Sequence, residues 1–136
     1  MEHSLDEKGR LIVPSRFRER LGPGFVLTAF GRDPCLALYS SAAWNRICEG
    51  LEGAPRKDEA YRRAVRWVFA HTQEPTCDAQ GRILIPAPLR AHASIERDVI
   101  SVGALTHVEI WAKERFAEYA QPRSEDADLF GELGLA

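Results

Sequence analysis

The sequence predicts an α+β, mainly β protein in which two tandem copies of one small unit are joined. The stretch LDEKGRLIVPSRFRERLG at 5–22 returns 72 residues later as CDAQGRILIPAPLRAHAS at 77–94. Five of the thirteen positions from 6 to 18 are identical between the copies, where about one match is expected from ordinary residue usage. The same offset aligns 36–39 with 108–111, so a whole structural unit is duplicated.

Each unit is predicted to run in the order turn, strand, helix, strand, strand, helix. The β-branched runs at 11–13 and 83–85 each meet a proline that suits the start of a short helix. Further strands are predicted at 25–30 and 35–39 in the first unit, and at 99–102 and 107–111 in the second. Turns are expected between these strands, at 31–34 and 103–106. Helices are predicted over 42–51 after Ser40 or Ser41, after Asp58, and over 113–119.

The chain divides into four predicted parts. They are a first repeat at 1–53, a connecting helix at 54–72, a second repeat at 73–120 and an acidic tail at 121–136. With 136 residues and 45% apolar content, each half would be marginal alone, so the repeats are expected to share one core. Three tryptophans occupy periodic apolar positions and are predicted to be core or subunit contacts rather than base-stacking platforms: Trp44, Trp67 and Trp111.

Charge is distributed unevenly along the chain. The net charge is −2, but residues 1–72 hold twelve Lys/Arg against nine Asp/Glu, and residues 73–136 hold six against eleven. Phosphates respond to the potential within about 10 Å, so a basic face on an acidic protein can still bind nucleic acid. No apolar run is long enough for a membrane span, and the first residues lack a signal-peptide pattern. We therefore expect a cytoplasmic protein without a membrane partner.

The sequence contains no recognisable catalytic or metal-binding pattern. Its three cysteines form no CxxC pair, its four histidines have no ligand-like spacing, and it lacks a Gly-rich phosphate loop, an HExxH helix and a GxSxG elbow. Cys77 is best treated as a small apolar residue. We therefore predict no catalytic residue, no metal, no cofactor and no small-molecule substrate. A small hydrolase would require a nucleophile or metal constellation that the pattern does not provide.

The repeated turns carry the residues of greatest functional interest. Asp6 and Asp78 can accept hydrogen bonds from backbone amides ahead of them, and Gly9 and Gly81 suit a positive φ. These four residues are predicted to shape the turns. Arg10 is open to two readings, contact with DNA or a structural salt bridge to Asp6, and the duplication does not distinguish them because either role would be duplicated.

The doubled DxxxR turn, with LDEKGRLIVP and CDAQGRILIP followed by CLALYSSAAW and VEIWAKERF, resembles the MraZ family of bacterial transcriptional regulators. The similarity extends from Leu5 to about Tyr119. It implies a fold related to the AbrB-type swapped-hairpin β-barrel, with both hairpins on one chain and flanking short helices. Members usually carry more residues before the first Leu-Asp than the four that precede Leu5 here, so either the first strand is shortened or the start codon is assigned late.

The resemblance also implies ring-like homo-oligomers at the nucleoid that bind direct repeats in double-stranded promoter DNA and repress their own division and cell-wall genes. An antitoxin-like or other protein-binding module is the alternative, with the acidic tail as a docking segment. Lys8 has no evident role in shaping the turn, which leaves DNA contact or a solvated surface charge. Arg16 could equally be a solvated surface charge, and Gln80 offers hydrogen bonds without charge. The candidate DNA contacts are Arg10, Arg82, Lys8, Gln80 and Arg16.

Overall fold

The computed structural model describes residues 1–135, which form an α+β fold. The strands are β1 (Glu2–Ser4), β2 (Arg10–Ile12), β3 (Val26–Thr28), β4 (Leu36–Tyr39), β5 (Arg82–Leu84), β6 (Asp98–Ala104) and β7 (His107–Ala112). The helices are α1 (Ser15–Leu21), α2 (Ser41–Glu52), α3 (Glu59–Ala70), α4 (Ala87–His92), α5 (Lys113–Tyr119) and α6 (Leu129–Glu132), with a 3₁₀ turn at Ser124–Asp126.

The strands are divided between two antiparallel sheets. A five-stranded sheet has the order β1-β6-β7-β4-β3, and β2 pairs with β5 in a separate two-stranded ribbon. The predicted α+β class is confirmed. The swapped-hairpin barrel is not, because the strands within residues 1–135 do not close into one continuous sheet.

Both sheets are centred on the same internal symmetry. Leu11 pairs with Ile83 in the ribbon, and Ala37 pairs with Glu109 where β4 meets β7. Each pair joins positions 72 residues apart, so the two repeats are related by a pseudo-twofold axis that passes through both pairings. The symmetry is less regular at the outer edges, where β6 pairs Val99 with His3. The counterpart of Val99, Leu27, forms its bridge with Gln73.

The buried core draws on both halves of the chain. Its largest members in the first half include Leu11, Val13, Leu27, Leu36 and Leu38, and those in the second include Ile83, Ile85, Leu89, Val99 and Ile110. Trp44 and Trp111 are buried, while Trp67 is partly buried and packs against the core, which confirms their predicted packing role. Cys77 is also partly buried against the core.

The predicted helix starts are confirmed where a side chain caps the first turn. Ser40 Oγ accepts a 3.1 Å hydrogen bond from the amide of Ala43, and Asp58 Oδ1 accepts a 2.9 Å bond from the amide of Tyr61. Pro14 and Pro86 immediately precede α1 and α4, as expected from their lack of an amide hydrogen.

The turn predicted at 103–106 is shorter than expected. Strand β6 continues through Ala104, since Gly103 pairs with Val108 and Ala104 with His107, leaving only Leu105 and Thr106 at the tip. A glycine within a strand often marks a close approach by another element. A Cβ at Gly103 would lie 3.3 Å from the Phe17 ring, so this glycine allows α1 to pack closely against β6.

Strand β1 comprises three residues and pairs with β6. Within the described part of the chain, none of the helices combines the length and apolar character needed to cross a bilayer.

Candidate nucleic-acid interface

The first repeated turn is organised by the carboxylate of Asp6. Its Oδ1 accepts hydrogen bonds of 2.9 Å from the amides of Lys8 and Arg10, and its Oδ2 accepts a 2.7 Å bond from Arg10 Nε. Gly9 has a φ of +79°, a conformation that a Cβ would strain. One carboxylate therefore fixes both the backbone of the turn and the position of the guanidinium group.

The second turn has the same arrangement. Asp78 Oδ1 accepts 2.9 Å bonds from the amides of Gln80 and Arg82, its Oδ2 accepts a 2.8 Å bond from Arg82 Nε, and Gly81 has a φ of +81°. The same residues at the same spacing thus produce the same local geometry in both repeats. The arginine–aspartate pair considered as a structural alternative for Arg10 is present in each turn.

The hydrogen bonds in each turn lower the pKa of its aspartate. The pKa of Asp6 lies below its usual range mainly because the carboxylate accepts a hydrogen bond from the Arg10 amide. The bonds from the Arg10 side chain and the Lys8 amide lower it further. The Arg82 amide lowers the pKa of Asp78 in the same way. Each turn therefore retains its anchoring carboxylate at neutral pH.

The turns lead into the β2–β5 ribbon and lie beside each other. Arg82 Nη1 is 3.7 Å from Asp6 Oδ2, so a guanidinium of one repeat also contacts the carboxylate of the other. The side chains of Arg10 and Arg82 remain 31% and 25% exposed. Their Nε atoms are engaged by the aspartates, and the guanidinium group has further N–H donors on its two Nη atoms.

The outward side of the ribbon presents a surface that we call the ribbon face. Strand alternation places Leu11 and Ile83 in the core and their neighbours on the opposite side. Arg10 lies opposite Leu84, and Ile12 lies opposite Arg82. The ribbon face therefore consists of four side chains: Arg10, Ile12, Arg82 and Leu84. Arginine and apolar residues alternate on it both along each strand and across the strand pair.

The exposure of Ile12 and Leu84 was missed from the sequence. These side chains are 49% and 50% exposed, although the continuous apolar runs at 11–13 and 83–85 gave no polar position to mark the outer side. The exposure of Ile12 could have been predicted from Arg10, because residues two positions apart on a strand lie on the same face and a charged residue marks the outer one.

A second pair of arginines, Arg18 and Arg90, occupies matching positions of the two repeats. Each of them supports the turn of the opposite repeat. Arg18 Nε donates a 3.0 Å bond to the carbonyl of Val13, and its guanidinium lies under the turn of the other repeat, 3.1 Å from where a Gly81 Cβ would be. Arg90 is placed equivalently, bound to the Ile85 carbonyl and packed under Gly9. Each arginine of this pair therefore binds a carbonyl oxygen of its own repeat and supports the turn of the other repeat.

The same strand ends are also joined directly. The amide of Val13 donates to the carbonyl of Gly81, and the amide of Ile85 donates to that of Gly9, each at 2.9 Å. Each turn is thus held by backbone and side-chain contacts from the opposite repeat.

The other candidate residues are placed differently. Lys8 and Gln80 are exposed at equivalent positions of the two turns. Arg16 lies on α1 with its guanidinium carbon 4.9 Å from the centre of the Phe17 ring, and it lines a groove beside β6 that includes none of the turn residues. The structure therefore groups Arg10, Arg82, Lys8 and Gln80 by their turns and leaves Arg16 on a separate element.

We expect Gly9→Ala to lower the free energy of unfolding by about 2–4 kcal/mol. The new Cβ would require a positive φ and would overlap Arg90 Nη1, displacing the bond to Ile85. Gly24→Ala is the control because Gly24 also has a positive φ, +73°, but an added Cβ would make only ordinary contact there, 3.4 Å from Glu74 Oε1. The control should lose only about 1–2 kcal/mol. Urea unfolding measures both, and equal losses would contradict the proposed importance of the close approach.

No group of three or more His, Cys, Asp or Glu side chains is arranged to hold a metal ion within residues 1–135. Burial raises the pKa of the Cys35 thiol to about 12, with further contributions from Glu109 and Asp33. This cysteine is therefore protonated at neutral pH and is not an activated nucleophile.

The geometry defines a class of protein with two matched arginine-bearing turns, held beside each other on a duplicated α+β scaffold. A family model described as "MraZ protein, putative antitoxin-like" matches residues 1–67 and again 68–130. The chain belongs to the MraZ family.

Several curated relatives bear the name "Transcriptional regulator MraZ". The relative from Caldanaerobacter subterraneus subsp. tengcongensis is 49% identical over 120 residues, which cover 88% of this chain and 83% of the relative. The relative from Lachnoclostridium phytofermentans is 42% identical over 135 residues, covering 98% and 94%. That from Clostridium acetobutylicum is 40% identical over 136 residues, covering 98% and 95%. These names support a role in transcription regulation.

Proposed function

We propose that this chain is a sequence-specific DNA-binding transcriptional regulator that uses its two arginine-bearing turns and the ribbon between them. The main support is the pair of identical hydrogen-bond networks that hold Arg10 and Arg82 in equivalent positions around the pseudo-twofold axis. A two-stranded β-ribbon is narrow enough to enter the major groove of B-DNA. The names of the relatives point to the same role.

The aspartate contacts are compatible with DNA binding by the arginines. Asp6 and Asp78 engage Nε and restrict the motion of each guanidinium before DNA arrives. The Nη donors can then contact a phosphate, or guanine O6 and N7, with less loss of side-chain freedom. The structural salt bridge and the DNA contact, treated as alternatives at the sequence level, become two parts of one arrangement.

The other turn residues differ between the repeats. Lys8 adds a positive charge suited to phosphate, whereas Gln80 in the second turn offers an amide that can bond to phosphate or a base edge. Arg16 would add phosphate affinity from α1. This difference gives the two otherwise matched turns distinct chemical preferences, so one chain would read an asymmetric DNA sequence.

In the proposed biological role, a ring-like homo-oligomer acts at the nucleoid and represses the division and cell-wall gene cluster that includes its own gene. Its turns would bind successive direct repeats in the promoter, so that individually weak contacts are combined through effective concentration. An antitoxin-like protein-binding module is the second candidate, favoured by the description of the matching family model.

The proposal is tested by titrating the full chain against a fluorescent duplex from upstream of its own gene at several salt concentrations. We expect saturable anisotropy, weaker binding to a scrambled duplex, and a linear fall of log K with log salt. Neutralisation of about three phosphates per chain would give a slope of roughly −3 for each bound chain. Equal binding to both duplexes would contradict sequence specificity. An absence of binding at low salt would contradict the function and favour a protein partner.

A further inference from the structure

The C-terminal residues 121–135, called here the tail segment, carry apolar side chains that the fold does not use. Four large apolar residues within seven positions are 46–74% exposed: Leu129, Phe130, Leu133 and Leu135. The 3₁₀ turn and α6 give this segment local helical structure, and its backbone hydrogen bonds are internal, such as Leu135 to Phe130 at 2.8 Å. The tail segment therefore has local structure without a buried contact surface.

The same segment is strongly acidic. It contains one basic residue, Arg123, and four acidic residues, which are Glu125, Asp126, Asp128 and Glu132. All of its residues are exposed. Acidic and apolar side chains thus alternate closely along a short stretch, which makes the segment suited to a surface that is both cationic and apolar.

The ribbon face has the complementary composition. Arg10 and Arg82 supply two guanidinium groups, whose Nε atoms bind Asp6 and Asp78 and whose Nη atoms have further N–H donors for a second carboxylate. Ile12 and Leu84 supply two half-exposed apolar groups beside them. Ile12 and Leu84 are diagonal neighbours, because Ile12 pairs with Arg82 and Leu84 pairs with Arg10, and diagonal positions of such a ribbon are about 7–8 Å apart. Side chains three positions apart on a helical turn have Cβ atoms about 5–6 Å apart, so two large side chains such as Phe130 and Leu133 can reach both apolar residues. Phosphate binding would use the arginines but would leave the apolar pair without a partner.

We propose that the tail segment of a second copy of this chain docks on the ribbon face and competes with DNA. Phe130 and Leu133 would contact Ile12 and Leu84, while the acidic residues preceding α6 would approach the guanidinium groups. A second copy is the assigned occupant because the tail segment is exposed along its whole described length, and because its charge and apolar content complement the ribbon face.

This inference rests on the proposed function, because it makes the DNA-binding surface self-regulated. A ribbon face covered by a tail segment is unavailable to phosphate. The apparent DNA affinity is therefore the affinity of the uncovered face multiplied by the fraction of faces that are uncovered. Since binding between copies increases with protein concentration, the inhibition would also increase with concentration. The tail segment would thereby limit binding to weak, non-operator DNA.

The test uses a fluorescent peptide with the sequence of the tail segment. The receptor is the full chain with its own tail weakened by exposed-site substitutions: Leu129→Ser, Phe130→Ser and Leu133→Ser. We expect saturable anisotropy that weakens with salt, and at least tenfold weaker binding when Ile12→Ser and Leu84→Ser are added to the receptor. Leu105→Ser is the matched control, since Leu105 is a 94% exposed apolar residue at the β6–β7 turn and should leave binding unchanged.

Circular dichroism and thermal unfolding verify that the receptor variants remain folded. A second readout compares DNA binding by the tail-substituted chain and the unmodified chain, and the tail-substituted chain should bind about three- to tenfold more tightly. An absence of saturable peptide binding, or equal binding by the Ile12→Ser/Leu84→Ser receptor, overturns the inference. Weaker DNA binding by that receptor with unchanged peptide binding also overturns it and assigns the apolar pair to DNA.

The two proposals fail in different ways. Peptide binding in the absence of any DNA binding would support the docking surface and overturn the proposed DNA-binding function. DNA binding without peptide binding would retain the function and overturn the self-regulation.

Discussion

Replacing Arg10 and Arg82 together by glutamine should weaken binding to the operator duplex by about 10²-fold or more. Each bidentate arginine contact contributes on the order of 1–3 kcal/mol of base discrimination, and two such contacts are removed from every chain. Glutamine retains hydrogen-bonding capacity but loses the charge and the fork of donors that Asp6 and Asp78 hold in place. Fluorescence anisotropy with the wild type and the double variant at one salt concentration measures the loss.

The matched charge control is Arg62→Gln/Arg63→Gln, which removes the same charge from exposed α3. We expect this control to retain binding within a fewfold of the wild type. Arg10→Lys/Arg82→Lys should keep most of the salt dependence but lose much of the discrimination between operator and scrambled duplex, because lysine lacks the planar fork of donors that Asp6 and Asp78 hold in place. Similar losses in the control and in the turn variant would show that only total charge matters. Thermal unfolding establishes that each protein is folded.

The sequence allowed much of the local structure to be predicted because its signals are local. Asp, Gly and Arg at fixed spacing specify the turn through bonds within five residues, and the structure shows the same bonds in both copies. The side-chain caps of α2 and α3 and the prolines before α1 and α4 are equally local. The common offset of 72 residues also predicted a duplicated architecture, which the central pairings of both sheets display.

The unpredicted features depend on how distant segments meet. The brace formed by Arg18 and Arg90 requires each arginine to reach the turn of the opposite repeat, a geometry fixed only when β2 pairs with β5. The separation into two sheets and the exposure of Ile12 also follow from pairing register, which local propensity does not encode. Gly103 similarly gave a turn signal locally, whereas its role is to admit Phe17 against the sheet.

The ribbon centre should also be a major determinant of stability. Leu11→Ala and Ile83→Ala should each lower the free energy of unfolding by about 2–5 kcal/mol, through lost apolar transfer energy and an unfilled cavity. Leu11 and Ile83 are 1% and 0% exposed and face each other on the pseudo-twofold axis, where the two repeats join. Urea unfolding at one fixed protein concentration measures the change, since any association between copies would make stability depend on concentration.

Ile12→Ala and Leu84→Ala provide matched controls on the same two strands. These side chains are half-exposed, so each truncation should cost only about 1 kcal/mol or less. The Leu11→Ala/Ile83→Ala double variant should deviate from the sum of its single variants by about 0.5–3 kcal/mol, because the two side chains occupy opposing positions of one core. Equal costs on the two faces of the ribbon would contradict the assignment of the inner face as the joint between repeats. A large cost confined to the inner face would separate the residues that hold the repeats together from the outer residues that are free to bind.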